Sequence, residues 1–210
     1  MADKKEDKHI PGGNKEFWEE LWHEGRTKWD IGYAARPITE YADQLKDKSI
    51  KILIPGAGNA YEAEYLHKNG FENVYVLDIA SKPLENFKKR VTDFPGEHLL
   101  NQNFFELTEK YDLIIEQTFF IALDPKLRTK YAEKINDLLK PGGKLIGLFI
   151  IDTEASNDGP PFIDTKEEYI RHFEGIFYVK VYETAYNSIK PRAGREMFIN
   201  FVKKKTKDNH

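Results

Sequence analysis

Asp78 stands twenty residues beyond Gly58, and the segment between them decides what chemistry the pair can support. The run Ile50-Lys51-Ile52-Leu53-Ile54 is apolar and β-branched, and it breaks at Pro55-Gly56-Ala57-Gly58-Asn59-Ala60. A helix pattern over 60–69 follows, then a second apolar run, Val74-Tyr75-Val76-Leu77, which ends on the acid. Strand, Gly-x-Gly turn, helix, strand and acid form the outline of a nucleotide-binding βαβ unit. Glycines let the backbone approach a ligand closely, and a helix start offers free N–H groups with partial positive charge. A carboxylate at 78 is placed to accept hydrogen bonds from two ribose hydroxyls. The blander alternative is a tight turn shaped by Gly56 and Gly58 with a strand-end charge at 78. The second strand and the acid in register favour a ligand.

Trp18, Trp22 and Trp29 fall within twelve residues, and no other tryptophan occurs. Trp18 and Trp22 are four apart and share a helix face, and indole faces attract a cation. This segment can dock on the core, close over a pocket as a lid, or do both. Glu116 ends a predicted strand, where it can face the ligand crevice of an α/β sheet, bind a cofactor ammonium or orient a protonated substrate, or remain a solvated strand-end acid. Asp152, at the end of another strand, is a further candidate for the crevice. Arg192 and Arg195 can hold an anionic substrate or simply balance Glu183 and Glu196, and Tyr33 can face substrate from the lid. The six histidines are scattered, and the absence of cysteine removes thiolate nucleophiles, disulfides and Cys-based metal sites. No metal is expected.

Positioning these residues requires alternating strands and helices. Asn14 caps a helix to about Glu24, and Pro37 opens a short helix toward Leu45. After the βαβ unit a helix starts around Ser81, which can cap it, and Pro95-Gly96 closes it. Short and longer strands follow at His98–Asn101 and Tyr111–Glu116. Asp124-Pro125 starts a helix to Lys140, stopped by Pro141-Gly142-Gly143. Lys144–Ile151 is the most apolar strand, and Asp152–Ile163 a polar loop. Asp164 with Glu167 resembles a capping box for a helix to about Phe173. Two last strands, Phe177–Thr184 and Glu196–Lys203, have no helix between them and so should pair antiparallel. The pattern predicts an α/β three-layer sandwich with a seven-stranded, mostly parallel sheet ending in a C-terminal antiparallel hairpin. The expected organisation is a flexible tail over 1–13, one domain over 14–204 with a helical lid at 14–45, and a basic tail over 205–210.

With 210 residues the chain buries a full core. Its net charge of −3 supplies no general attraction to nucleic acid. The apolar run Leu145–Ile151 is too short to cross a bilayer, and the charged Met1–Lys8 segment is no signal peptide. The expected setting is cytoplasmic, with a small-molecule partner, no nucleic acid, no membrane and a monomeric state.

Five ordered segments carry a resemblance. They are Phe17-Trp18-Glu19-Glu20-Leu21-Trp22 with Trp29-Asp30; Ile54-Pro55-Gly56-Ala57-Gly58; Leu77-Asp78-Ile79; Asn103-Phe104-Phe105-Glu106-Leu107; and Tyr111 through Phe120. Gly159-Pro160-Pro161-Phe162 adds to them. Over residues 15–203 the chain resembles class I S-adenosylmethionine-dependent methyltransferases, and within them the thiopurine S-methyltransferase family with its plant thiol and halide methyltransferase relatives. The resemblance implies a Rossmann-like fold and S-adenosyl-L-methionine as cofactor, leaving as S-adenosyl-L-homocysteine. It places Trp18, Trp22 and Trp29 near the methionine part, Gly56 and Gly58 under its carboxylate and ribose, Asp78 on the ribose and Ile79 against adenine. Asn103 and Phe104 match adenine-edge contacts. Glu116, Gln117 and Thr118 match the strand-end segment beneath the reacting methyl and the methionine amino group, and Arg192 matches a substrate-side arginine in some relatives. Glu116, Arg192 and Asp152 are the candidates for the reaction itself. The chain departs from the common class I pattern at Ile54, where an acid is usual, and at Ala60, where a third glycine is usual. Some relatives place an arginine at the position of Gln117. The implied activity is methyl transfer to a small-molecule thiol or thiopurine-like sulfur. The alternatives are a halide, hydrosulfide or selenium or tellurium acceptor, a nicotinamide-dependent oxidoreductase, and a non-catalytic nucleotide-binding protein.

Overall fold

Apolar strands too short to stand alone assemble into one seven-stranded sheet of order β3-β2-β1-β4-β5-β7-β6. The computed structural model describes residues 14–154 and 159–204; the tails expected at 1–13 and 205–210, and residues 155–158, lie outside the described residues. The strands are β1 (Ile52–Pro55), β2 (Val74–Asp78), β3 (Leu99–Asn101), β4 (Tyr111–Gln117), β5 (Leu139–Ile150), β6 (Phe177–Thr184) and β7 (Glu196–Lys203). The first five pair in parallel, and β7 runs antiparallel to both β5 and β6. The expected α/β sandwich with a terminal hairpin is therefore the observed one. The chain leaves β1 toward β2 and β3, then returns to build β4 on the opposite side. That reversal opens a crevice beyond Pro55 and Gln117, the usual ligand position in such sheets.

The helices are α1 (Lys15–His23), α2 (Arg36–Ala42), α3 (Tyr61–Lys68), α4 (Ser81–Arg90), α5 (Arg128–Leu138) and α6 (Lys166–Arg171). Strand residues alternate between two cores. Ile52, Ile54, Leu113 and Ile115 join α2, α3 and α4 through Ile38, Leu66 and Phe87. Leu53, Ile114, Leu145 and Phe149 join α5 and α6 through Tyr131, Ile135 and Tyr169. This parity decides the direction of every strand-end side chain at the crevice.

Three local expectations fail for physical reasons. Pro141-Gly142-Gly143 does not stop a helix. The helix ends at Leu138, and residues 140–143 form a bulge in β5 opposite Asp112 alone. A bulge tolerates a proline that cannot donate to the ladder. Ser81 is not a cap, because the N-cap of α4 is Ala80, and the Ser81 N–H donates to Glu19 Oε1 of α1 at 2.8 Å. The last helix is capped one residue later than predicted, with Thr165 Oγ1 accepting from the Glu168 N–H, while Asp164 pairs with Arg128.

Candidate active site

Pro55 ends β1 and the backbone then turns through Gly56 and Gly58 at φ of 58° and 53°. These are left-handed values that a Cβ disfavours. Space tightens the requirement. A Cβ on Gly56 would lie 2.2 Å from Phe119 Cδ2, and one on Gly58 would lie 3.3 Å from Trp22 Cζ2. The turn is thus held between the strand-end loop of β4 and the tryptophan helix α1.

Asp78 closes the turn from β2. Its Oδ2 accepts from the Gly58 N–H and its Oδ1 from the Ala80 N–H, each at 2.9 Å. Asn101 Nδ2 donates to the Asp78 and Ile79 carbonyls, holding the strand end from β3. The carboxyl is only 7% exposed. Burial pushes it up to about 6; the N–H groups of Ala80 and Gly58 oppose the shift, and the nearby Glu19 carboxylate adds to it. Near neutral pH it is an acceptor with lone pairs left for a ligand.

A cavity of about 700 Å³ spreads from this turn across the carboxyl ends of β1, β2 and β4. Trp18, Trp22 and Trp29 form one wall, with the Trp29 ring edge-to-face against Trp18 at 5.6 Å and Trp22 at 5.8 Å. The wall is fastened at both ends, by Glu19 on the start of α4 and by Arg192, whose Nη2 donates to the Trp29 carbonyl at 2.8 Å. Ile79, Asn103 and Phe104 line the opposite end. Asn103 Oδ1 is engaged by the Phe105 N–H, and Phe104 packs on Phe119 and Tyr131, so both are held in place. Gln117 and Thr118 form the floor, with Thr118 at φ 60°. A β-branched residue in that conformation carries strain of about 1–3 kcal/mol.

Two of the candidates lie elsewhere. Glu116 shares the parity of Ile114, so its side chain turns beneath the floor and is 0% exposed. Its Oε1 accepts from the Phe120 N–H at 2.8 Å, and Oε2 has no partner among the described residues. Burial pushes this carboxyl up to about 8, against the pull of the Phe120, Phe119 and Thr118 N–H groups. Glu116 therefore braces the loop and is not part of the cavity lining. Asp152 lies beyond the end of β5, where its Oδ2 pairs with Arg195 at 3.1 Å away from the cavity. Arg192 lines the cavity and also pairs with Glu196 at 3.3 Å.

Four of the lining residues, Arg26, Lys28, Leu127 and Ile150, were not singled out by sequence. Arg26 and Lys28 join Arg192 as cations on the wall, while Leu123, Leu127, Ile150, Pro160 and Pro161 make an apolar end. Arg128, itself buried, steadies that end: it pairs with Asp164 at 2.8 Å and donates to the Phe162 carbonyl at 2.8 Å.

The family described as thiopurine S-methyltransferase (TPMT) matches residues 13–207. The chain is 34% identical over 157 residues to probable thiol methyltransferase 2 of Arabidopsis thaliana, covering 72% of this chain and 69% of that protein. It is 26% identical over 204 residues to the thiopurine S-methyltransferase of Vibrio vulnificus (strain YJ016), covering 89% and 93%. Among solved structures it superposes on Burkholderia thailandensis 1,6-didemethyltoxoflavin-N1-methyltransferase, with a TM-score of 0.73 at 17% identity over 90% of this chain and 87% of that one. That likeness extends to the fold. Family match, relatives and cleft agree: the chain belongs to the thiopurine S-methyltransferase family and is a methyltransferase.

Proposed function

We propose that the cleft binds S-adenosylmethionine and directs its methyl group to the sulfur of a small thiol or thiopurine-like molecule. The observation that carries this reading is the Asp78 carboxylate fixed against the Gly56–Gly58 turn and facing a tryptophan wall across one cavity. The residues fit such a ligand. Asp78 would accept from the ribose, and Ile79, Asn103 and Phe104 would flank the adenine. The glycines leave room for backbone approach, and the indoles would face the sulfonium, at about 0.5–2 kcal/mol for each ring–cation contact. When bound, S-adenosylmethionine supplies an electrophilic methyl group on a neutral leaving group.

The chain's own work is alignment and exclusion of water, together worth on the order of 7–11 kcal/mol in favourable cases. Lys28 gives the wall a positive charge that draws a thiolate, whereas Arg26 is paired with Glu20 and Glu24 and Arg192 with Glu196; the apolar end at Leu123, Ile150 and Pro160 accommodates the organic body. No strong general base is needed, in keeping with Glu116 buried below the floor. Names of relatives that act on thiols and thiopurines support this acceptor class. Segment 14–45 acts in this reading as the lid. Among the described residues no helix is long and apolar enough to cross a membrane; the reading takes the enzyme as a cytoplasmic monomer, checkable by sedimentation.

Calorimetry with S-adenosylhomocysteine and with NADH tests the cofactor, and preference for NADH would end the reading. In the same titration Asp78→Ala should weaken S-adenosylhomocysteine by about 1–3 kcal/mol, the scale of charge-assisted hydrogen bonds at a buried site. Unchanged affinity would place the ribose elsewhere.

A further inference from the structure

Beside the main cleft lies a smaller cavity of about 60 Å³ that shares Trp22, Trp29, Gly56, Gly58, Gln117 and Thr118 with it. Its remaining wall is acidic, with Glu62 from the first turn of α3 and Asp30 from the segment after α1. Glu62 is only 5% exposed. Its Oε1 accepts from the Ala35 N–H at 2.9 Å. With the Gln117 amide nitrogen turned toward it, the orientation that pairs donor with acceptor, Gln117 also donates to Oε2 at 3.1 Å. Asp30 accepts from the Gly32 N–H at 2.7 Å and from the Asn59 amide.

All of these donors are neutral. Among the described residues neither acid forms an ion pair, and Arg192, whose charge acts on Glu62 from farther away, directs its guanidinium to the Trp29 carbonyl and Glu196. Burial, with the charge of Asp30, raises the Glu62 carboxyl above its ordinary range. A buried carboxylate facing a small cavity without a cation is a costly arrangement that a cationic ligand relieves. The cavity has room for a compact group, and no cluster of three or more metal-ligating acids or histidines occurs among the described residues. Asp78 lines only the main cleft and Glu62 only the small cavity, with Gly56 and Gly58 shared between them, so a ligand gripping Asp78 by its sugar would reach Glu62 by passing over the turn.

We propose that Glu62, oriented by Gln117 and the Ala35 N–H, receives the α-ammonium group at the amino-acid end of the methyl donor, with Asp30 adding negative charge to the same pocket. The assignment rests on the S-adenosylmethionine reading above. Because Ala35 belongs to the lid segment, the same carboxylate joins ligand and lid.

The test is calorimetry of wild type and Glu62→Gln with three ligands: S-adenosylhomocysteine, its deaminated analogue that keeps the carboxylate, and 5′-methylthioadenosine, which lacks the amino-acid end. Glu62→Gln should weaken S-adenosylhomocysteine about ten- to hundredfold, the loss of a charge-assisted contact. It should leave the other two ligands within about twofold, since neither offers the ammonium. A parallel loss on all three ligands marks a purely structural role and overturns the assignment, as does no loss on S-adenosylhomocysteine. If Glu62→Gln does not fold, Glu62→Asp keeps the charge but withdraws it, and a partial loss confined to S-adenosylhomocysteine is expected. A wild-type protein that binds none of the three removes the cofactor reading itself, and this inference with it.

Discussion

Gly56→Ala is expected to lower the melting temperature by roughly 5–15 °C and to weaken S-adenosylhomocysteine binding more than tenfold. Two costs add. The left-handed backbone at φ 58° costs an alanine about 1–2 kcal/mol. The new methyl would stand 2.2 Å from Phe119 Cδ2, well inside contact distance. Phe119 cannot simply retreat, because Phe104 and Tyr131 rings lie 5.4 and 5.9 Å away. Overpacking of this kind costs about 1–3 kcal/mol. Only the second cost depends on the ring. In a Phe119→Ala background the penalty of Gly56→Ala should therefore shrink by about 1–3 kcal/mol, readable from a double-mutant cycle of unfolding free energies. An equal penalty in both backgrounds would show that the ring does not confine the turn.

The second large effect concerns the acid below the floor. Glu116 has an ordinary value of 4.5 that burial pushes to about 8. Below pH 4.5 the carboxyl is protonated in folded and unfolded chains alike and contributes nothing to pH dependence. Between 4.5 and 8 the unfolded chain releases its proton while the folded one retains it, so the unfolded state gains and stability falls as pH rises. Above 8 the deficit is constant. Glu116→Gln removes the titration and keeps an oxygen for the Phe120 N–H. Its advantage over wild type should grow from near zero at pH 4.5 to a ceiling of about 5 kcal/mol at pH 8. Melting curves at pH 5 and pH 8 check this, the expected gain being largest at pH 8. A variant less stable than wild type at pH 8 would show that Glu116 is ionised and paired in the folded chain.

Glu116 also shows where sequence stops being informative. An acid at the end of a parallel strand is equally compatible with facing the crevice or the core, because both faces of β4 are buried and no polar–apolar alternation marks the parity. The nearest signal is Gly147 in the most apolar strand. It pairs with Glu116 on β5, where a Cβ would come within 2.0 Å of the Glu116 carbonyl oxygen. Its missing side chain leaves room beside the buried acid. Asp152 was misplaced for a different reason: β5 ends before it, and a residue past a strand end follows its loop, here toward Arg195.

The βαβ unit and the terminal hairpin were legible because strand, turn and acid spacing are local and the two last strands lack a helix between them. The strand over 144–150 was legible too, but its start over 139–143 was not, since Pro141-Gly142-Gly143 carries the composition of a helix stop and only the partner strand makes it a bulge. Glu19 and Glu62 were hidden in plain patterns. Glu62 is an acid in the first turn of a helix, where the helix dipole alone accounts for it, and Glu19 sits in mid-helix beside the further acid Glu20. Their partners, Ser81 in one case and Ala35 with Gln117 in the other, are distant in sequence and meet them only once the sheet has formed.

The most direct measurement follows a labelled methyl group. Incubated with methyl-labelled S-adenosylmethionine and a panel of aliphatic thiols, aromatic thiols, thiopurines, halides, and matched alcohols and amines, the enzyme should form labelled thioethers and one S-adenosylhomocysteine for each. Label confined to oxygen, nitrogen or halide acceptors, or no S-adenosylhomocysteine with any member of the panel, contradicts the account.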